Sequence, residues 1–109
     1  MKLLLDECVV QEFRHLIPGH DVYLVAFKGW SGVRNGALLS AAAADGFDGL
    51  ITTDRGFQFQ HNPSTLPVAV IILLAHANDL QDLRLLVPDL QTTLATLVPK
   101  QITLIRPAP

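Results

Sequence analysis

Residues 68–74 read Val-Ala-Val-Ile-Ile-Leu-Leu, and this unbroken apolar run decides the fold. A strand with one face in water alternates apolar and polar side chains, whereas a strand of a parallel sheet is covered on both faces and is apolar throughout. We therefore expect a buried strand over 68–74, in a mainly parallel sheet with helices on both faces.

Shorter apolar runs and helical patterns alternate on both sides of this segment. Strands are also predicted over residues 2–5, 21–25, 50–53 and 102–105. Helices are predicted over 9–17, 35–45 and 79–98, the last broken at Pro88, with an irregular segment or short helix over 56–67. Such alternation is typical of βαβ units with right-handed crossovers. The prediction is an α/β fold, a three-layer α/β/α sandwich with about five mainly parallel strands and the first strand in or near the centre.

Composition and charge limit what the chain does. Its 109 residues predict one domain over 1–109, and 50% hydrophobic residues with 17% charged residues exclude general disorder. The formal net charge is −2, so any binding of nucleic acid has to rest on a local basic cluster. Cys8 is the single cysteine, which excludes an internal disulfide and a cysteine-based zinc site.

The apolar runs also predict a cytoplasmic protein without a membrane partner. Asp6 and Glu7 interrupt the leucines at 3–5, so this start does not form an export signal. The longest apolar run, Val68–Ala75, is far shorter than the roughly 18 residues of a membrane-spanning helix.

Two acidic residues directly follow predicted strands: Asp6 follows the first strand and Asp54 the third. Open parallel sheets bind ligands at the carboxyl ends of the strands, where the strand order switches direction. If these two strands are neighbours, about 4.8 Å apart, the carboxylates converge and repel each other unless a proton or cation lies between them. Mg²⁺ or Mn²⁺ fits, because hard cations take carboxylate oxygens and retain waters. We expect such an ion to be held by Asp6 and Asp54.

Other roles for these residues stay open at this stage. Asp6 also suits the N-cap of the first helix, and Asp54 suits the turn that continues to Gly56. Glu7 is either a further member of the site or a first-turn acid favoured by the helix dipole. Asn35 opens its helix near the same edge, as an N-cap or as a site residue. The candidate catalytic residues are therefore Asp6, Asp54, Glu7 and Asn35.

Four basic residues are expected around the acids, because each follows a predicted strand. Lys28 and Arg34 lie after the second strand, Arg55 after the third and Arg106 after the last. In a protein site for a phosphodiester substrate, basic side chains bind the phosphate backbone of the substrate, while carboxylate side chains bind the metal. These four residues are the candidate substrate-binding residues, although Arg55 also suits an ion pair with Asp54.

Three segments of the chain together carry a family resemblance. They are Leu3-Leu4-Leu5-Asp6-Glu7, Asn35-Gly36-Ala37-Leu38-Leu39 and Ile51-Thr52-Thr53-Asp54-Arg55-Gly56-Phe57. Over residues 2–74 the chain resembles the small PIN-like proteins of unknown function, which are shortened relatives of the PIN-domain (VapC-type) ribonucleases. The spacing of the three segments is more specific than any one of them.

The resemblance implies a PIN-like fold and Mg²⁺- or Mn²⁺-dependent cleavage of RNA. Asp6 matches the first PIN aspartate, and Asp54 matches the acid after the third strand. Such proteins are often toxins that a small antitoxin protein neutralises, so an antitoxin partner is expected and a homodimer is compatible with this family. The chain departs from the pattern at Asn35, Gly36 and Ala37, where an acid is common at one of the positions, and at Gly56, where an aspartate is usual. These departures imply a weakened site that holds one metal ion rather than two.

Two other functions fit the same residues. One is a non-catalytic PIN-like module that docks to a partner protein. The other is a response-regulator receiver domain, in which Asp54 accepts a phosphoryl group and Asp6 and Glu7 bind Mg²⁺. Against the receiver, Ala75-His76 replaces the Ser or Thr expected after the fourth strand, and too few residues follow Arg106 for a final helix.

Overall fold

A single parallel sheet forms the centre of the molecule. The computed structural model describes residues 1–60 and 66–107. Over those residues the strands are β1 (Lys2–Leu5), β2 (Asp21–Leu24), β3 (Gly49–Thr52), β4 (Ala69–Leu73) and β5 (Ile102–Ile105). They form one five-stranded, all-parallel sheet with the order β2-β1-β3-β4-β5. The predicted parallel sheet is confirmed, with β3 at its centre and β1 beside it.

Helices cover both faces of this sheet. They are a 3₁₀ helix (Gln11–Leu16), α1 (Asn35–Ala44), α2 (Phe57–Gln60), α3 (Leu80–Arg84) and α4 (Val87–Ala95). Residues 61–65, which belong to the segment predicted as irregular or helical, lie outside the described residues. None of the helices in the described ranges is long and apolar enough to cross a membrane.

The two faces carry separate hydrophobic cores, because successive strand side chains point to opposite sides. Leu3 and Leu5 pack with the 3₁₀ helix, α3 and α4, in the core that contains Phe13. Leu4 packs with α1 and α2, in the core that contains Phe57. The three-layer α/β/α architecture is thus confirmed, and two cores explain the high apolar content of so short a chain.

The connections do not all have the same hand. Both the β2–β3 and the β4–β5 connections advance toward the β5 edge of the sheet. However, α1 lies in the core of one face, whereas α3 and α4 lie in the core of the other. Crossovers that advance in one direction on opposite faces have opposite hands, so the expectation of uniformly right-handed crossovers is wrong.

The first helical segment also differs from its prediction. Val9, Phe13 and Ile17 are buried at a spacing of four, as an amphipathic helix requires. The observed element is nevertheless a 3₁₀ helix that ends before Pro18. Proline cannot continue a helix, and short 3₁₀ turns are common as connectors. Pro88, by contrast, lies in the first turn of α4, where its missing N–H is harmless, and it separates α3 from α4 as predicted.

Candidate active site at the carboxyl edge of the sheet

The order of the strands switches direction between β1 and β3. The chain passes from β1 outward to β2, and from β3 the opposite way to β4. Asp6 directly follows β1 and its N–H donates to the Ile51 carbonyl at 2.9 Å, while Asp54 lies two residues beyond the end of β3. The two acids therefore belong to neighbouring strand ends at the switch point, where open α/β sheets bind ligands.

Thr52 links the two acids. It is the last residue of β3 and its relative exposure is 0%. Its hydroxyl donates to Asp6 Oδ2 at 2.8 Å and accepts from the Asp54 N–H at 3.0 Å. One hydroxyl thus fixes the Asp6 carboxylate relative to the Asp54 backbone. Thr52 is not among the site residues predicted from the sequence, although a threonine at the end of an apolar strand is a signal for it, because buried polar groups need partners.

Asn35 lies beside Asp54 rather than capping its helix. Arg34 occupies the N-cap of α1 and makes no side-chain cap hydrogen bond. The Asn35 amide Nδ2 lies 3.4 Å from Asp54 Oδ2, while Asp54 Oδ1 accepts from the Gly56 N–H at 2.9 Å. The N-cap alternative for Asn35 is therefore wrong, and the turn predicted after Asp54 is present.

Glu7 serves a different part of the edge. Its Oε1 accepts from the Gly32 N–H at 2.9 Å, which holds the loop after β2. Its own N–H donates to Asp6 Oδ1 at 2.9 Å. Glu7 and Asp6 also line a depression of about 80 Å³ between the ends of β1 and β2. Glu7 thus adds negative charge near Asp6, and its carboxylate is bound to the loop after β2.

Asp6 and Asp54 are the residues at this edge that could hold a hard cation. No group of three or more His, Cys, Asp or Glu side chains gathers within ligand distance among residues 1–60 and 66–107. Mg²⁺ is commonly bound by one or two carboxylates together with waters and substrate phosphates. Asp6 and Asp54 supply two such carboxylates, each with lone pairs beyond those used in the hydrogen bonds above. Two carboxylates could hold one ion with the help of waters and substrate oxygens.

The predicted basic residues do not behave alike. The Arg55 guanidinium donates to the Ala75 carbonyl at 3.2 Å, so it is held toward the end of β4, and no Arg55–Asp54 ion pair is present in the described residues. Arg55 lines a depression of about 170 Å³ with His76 and Asn78. Arg34 and Arg106 are exposed at the start of α1 and after β5. These three arginines follow the carboxyl ends of strands.

Lys28 is bound elsewhere. Its ammonium lies 2.7 Å from the Asp45 carboxylate at the end of α1, which also pairs with Lys2 at 3.3 Å. Lys2 begins β1, so this cluster lies toward the opposite edge of the sheet. The expectation that Lys28 presents its charge at the carboxyl edge is therefore not met, because a nearby carboxylate binds the flexible side chain.

Asp45→Asn is expected to lower the melting temperature at neutral pH. The Lys28 ammonium, together with Lys2, holds the pKa of Asp45 below its ordinary value of 3.8. A carboxyl group with a lowered folded-state pKa stabilises the fold above its unfolded-state pKa and loses that contribution as the pH falls. The difference in melting temperature between wild type and Asp45→Asn should have its largest value at pH 7 and should disappear as the pH falls below 3.8. Calorimetry across this range checks it, and a constant difference would contradict it.

No protein-family model, curated protein or solved structure gives a significant match to this chain. The PIN-like resemblance of the three segments therefore stays a prediction.

Proposed function

We propose that this chain is a metal-dependent ribonuclease of PIN-like type, acting on single-stranded RNA in the cytoplasm. One observation carries the proposal: Asp6 and Asp54 follow neighbouring parallel strands at the switch point and are linked through the buried Thr52 hydroxyl. Carboxylates that lie close together repel each other, and a cation between them relieves the repulsion. A substrate that carries phosphates completes the ligands of such a cation.

Each residue of the edge has a specific task in this proposal. Asp6 and Asp54 would hold one Mg²⁺ or Mn²⁺, with Thr52 fixing the Asp6 carboxylate and Asn35 lying against Asp54. A cation held there supplies Lewis-acid polarisation of a phosphate oxygen and lowers the pKa of a bound water. Arg55, with the exposed Arg34 and Arg106, would hold the phosphodiester backbone.

The proposed activity is slow, because the site has few charges. Asn35 is neutral and position 37 is alanine, so Asp6 and Asp54 are the two carboxylates that follow β1 and β3 at this edge. Metal affinity falls as anionic ligands are removed, and Mn²⁺ binds N/O sites more tightly than Mg²⁺. We therefore propose cleavage that favours Mn²⁺ and needs metal well above cellular levels.

The test is a metal titration with a generic single-stranded RNA. We expect slow cleavage in millimolar Mn²⁺, slower cleavage in Mg²⁺ and none in EDTA. Fast cleavage at low Mg²⁺ would contradict the charge argument while supporting the nuclease. An absence of both cleavage and metal binding would overturn the proposal in favour of a docking module.

The Arg55→Ala variant is expected to weaken RNA binding more than Lys28→Ala. Arg55 lies at the carboxyl edge, whereas the Lys28 ammonium is bound by Asp45. Loss of one phosphate contact should lower the slope of log affinity against log salt by about 1. Fluorescence anisotropy with labelled RNA in EDTA measures binding apart from cleavage. Equal losses for the two variants would contradict the different roles assigned to these side chains.

The proposed partner is a small antitoxin protein, in keeping with the resemblance, and the proposal is compatible with a homodimer. A short reading frame for an antitoxin-like protein beside this gene would support that partnership. A neighbouring histidine kinase would favour the receiver instead.

A docking module without catalysis is the second candidate, and one observation favours it. Both oxygens of Asp6 and Asp54 already have internal hydrogen-bond donors close by, from Glu7, Thr52, Gly56 and Asn35. Carboxylates with such donors also serve to hold strand ends and turns. A docking module would show no change in melting temperature on addition of Mn²⁺, whereas the nuclease would be stabilised by the bound ion.

The strand order supports a receiver domain, whereas the positions of the helices contradict it. The order β2-β1-β3-β4-β5 is the flavodoxin-like order that receivers share. A doubly wound sheet with right-handed crossovers would place α3 and α4 on the same face as α1. They lie on the opposite face, so we rank this candidate last. Incubation with a small phosphoryl donor and mass measurement of the intact chain tests it.

A further inference from the structure

The outer edge of β2 has open backbone groups. β2 is a terminal strand of the sheet, bonded on one side to β1. The Asp21 and Val25 N–H groups donate to the Met1 and Leu5 carbonyls at 2.8 and 3.3 Å. Alternate residues of a parallel strand direct their backbone groups to opposite sides, so the N–H groups of residues 22 and 24 face outward.

Among the described residues, nothing occupies the backbone groups of Val22 on that outer side. The Leu24 carbonyl accepts from the Lys28 N–H at 3.3 Å, which leaves its own N–H open. Unpaired edge groups form a template for another extended chain. The edge carries no lysine or proline within β2, the residues that commonly protect such edges.

A groove runs along this edge and has two different walls. It has a volume of about 300 Å³ and is lined by Arg14, Val22, Tyr23, Leu24 and Phe27. Phe27 is 76% exposed, and its ring centroid lies 6.1 Å from that of Tyr23. Tyr23 belongs to the α1 side of the sheet, whereas Val22 and Leu24 belong to the side of the 3₁₀ helix that carries Arg14. One wall is thus aromatic, and the other carries a cation.

We propose that the β2 edge binds an extended segment of a partner polypeptide in which apolar and acidic residues alternate. Successive side chains of a strand point to opposite faces, so one apolar side chain packs on Phe27 and Tyr23 while the next, a carboxylate, pairs with Arg14. The segment's backbone bonds to Val22 and Leu24. Addition of a strand to a sheet edge obtains affinity from the backbone and specificity from alternate side chains. This inference does not depend on the ribonuclease proposal.

A second copy of the chain fits this edge less well. An antiparallel pair of β2 strands keeps corresponding faces on the same side of the joined sheet. The Arg14 side of one copy would then meet Val22, Leu24 and Arg14 of the other. Asp21 lies on the Tyr23 side by alternation, so it supplies no carboxylate to Arg14. Charge complementarity thus favours an acidic partner.

Synthetic decapeptides of alternating Val and Glu test the proposal, with alternating Val and Lys as the charge control. A third peptide has the Val-Glu sequence with every backbone amide N-methylated, which removes all of its backbone donors. NMR titration should shift and protect the Val22 and Leu24 amides with the Val-Glu peptide. We expect the Val-Glu peptide to bind about threefold to tenfold more tightly than the Val-Lys peptide. This is the difference expected when one exposed ion pair with Arg14 is replaced by repulsion between like charges. N-methylation should abolish binding.

Variants of the folded chain assign the contacts. Arg14→Glu should reverse the preference between the Glu and Lys peptides, and Phe27→Ala should weaken both. Leu85→Ala is the matched control, because Leu85 is another apolar residue that is 67% exposed, and it should leave binding unchanged. Equal binding of all three peptides, or no protection at Val22, would overturn the proposal. Protection of the Val22 amide that increases with protein concentration in the absence of peptide would also overturn the proposal, because a second copy of the chain would then cover the edge.

Discussion

Replacing Asp6 with alanine should reduce RNA cleavage in Mn²⁺ by at least about 100-fold, to the level of the EDTA control. Asp6 is one of two carboxylates at the switch point and the partner of the buried Thr52 hydroxyl. The loss of Asp6 removes one of the two proposed anionic ligands of the metal. A 100-fold lower rate corresponds to the loss of a few kcal/mol of transition-state stabilisation. Asp6→Asn should have a similar effect on cleavage, because the amide keeps the shape and removes the charge.

Asp48→Asn is the matched control for Asp6→Asn. Asp48 lies just before β3, at the opposite edge of the sheet, and its Oδ2 accepts from the Lys2 N–H at 2.8 Å. Asparagine retains an oxygen for that hydrogen bond, so the substitution makes the same change of charge away from the proposed site. Equal activity of Asp6→Asn and wild type, in the same preparation in which Asp48→Asn is active, would exclude Asp6 from the chemistry.

The strands and most of the helices follow directly from the sequence because local patterns determine them. The apolar run at 68–74 becomes β4, buried on both faces in the sheet. Pro88 ends one helix and begins another, since its ring excludes it from a helix interior and suits the first turn. The sequence pattern could not show the hand of the β4–β5 connection, because the hand depends on which face of the sheet α3 and α4 pack against.

The site was only partly predictable because side-chain partners are set by tertiary structure. The positions of Asp6 and Asp54 follow from the strand ends. The contact between Asn35 and Asp54 depends on how α1 packs. The general preference of asparagine for N-cap positions favoured a different role for this residue. Lys28 follows β2 as expected, yet its long side chain reaches Asp45. Thr52 links the acids through a hydroxyl that no spacing rule identifies.

The Asn35→Asp variant should bind Mn²⁺ more tightly than wild type and cleave RNA about tenfold faster. Asn35 Nδ2 lies 3.4 Å from Asp54 Oδ2, so an aspartate there adds a third carboxylate beside the proposed ion. Without metal the new charge repels Asp54 and lowers the melting temperature. At a metal concentration 100 times the dissociation constant, binding contributes about 2.7 kcal/mol, which raises the melting temperature of a chain this size by roughly 10 °C.

Thermal melting with and without Mn²⁺ therefore separates the two leading candidates even if no cleavage is observed. A nuclease site predicts a less stable apo variant whose stability exceeds that of wild type once Mn²⁺ is added. Gln101→Glu, which adds the same charge just before β5 at the opposite edge, should show no such response. Ala37→Glu, in the first turn of α1, offers a second position for the added carboxylate. If Mn²⁺ stabilises neither Asn35→Asp nor Ala37→Glu, the acids hold strand ends rather than a metal, and the docking module takes the place of the ribonuclease.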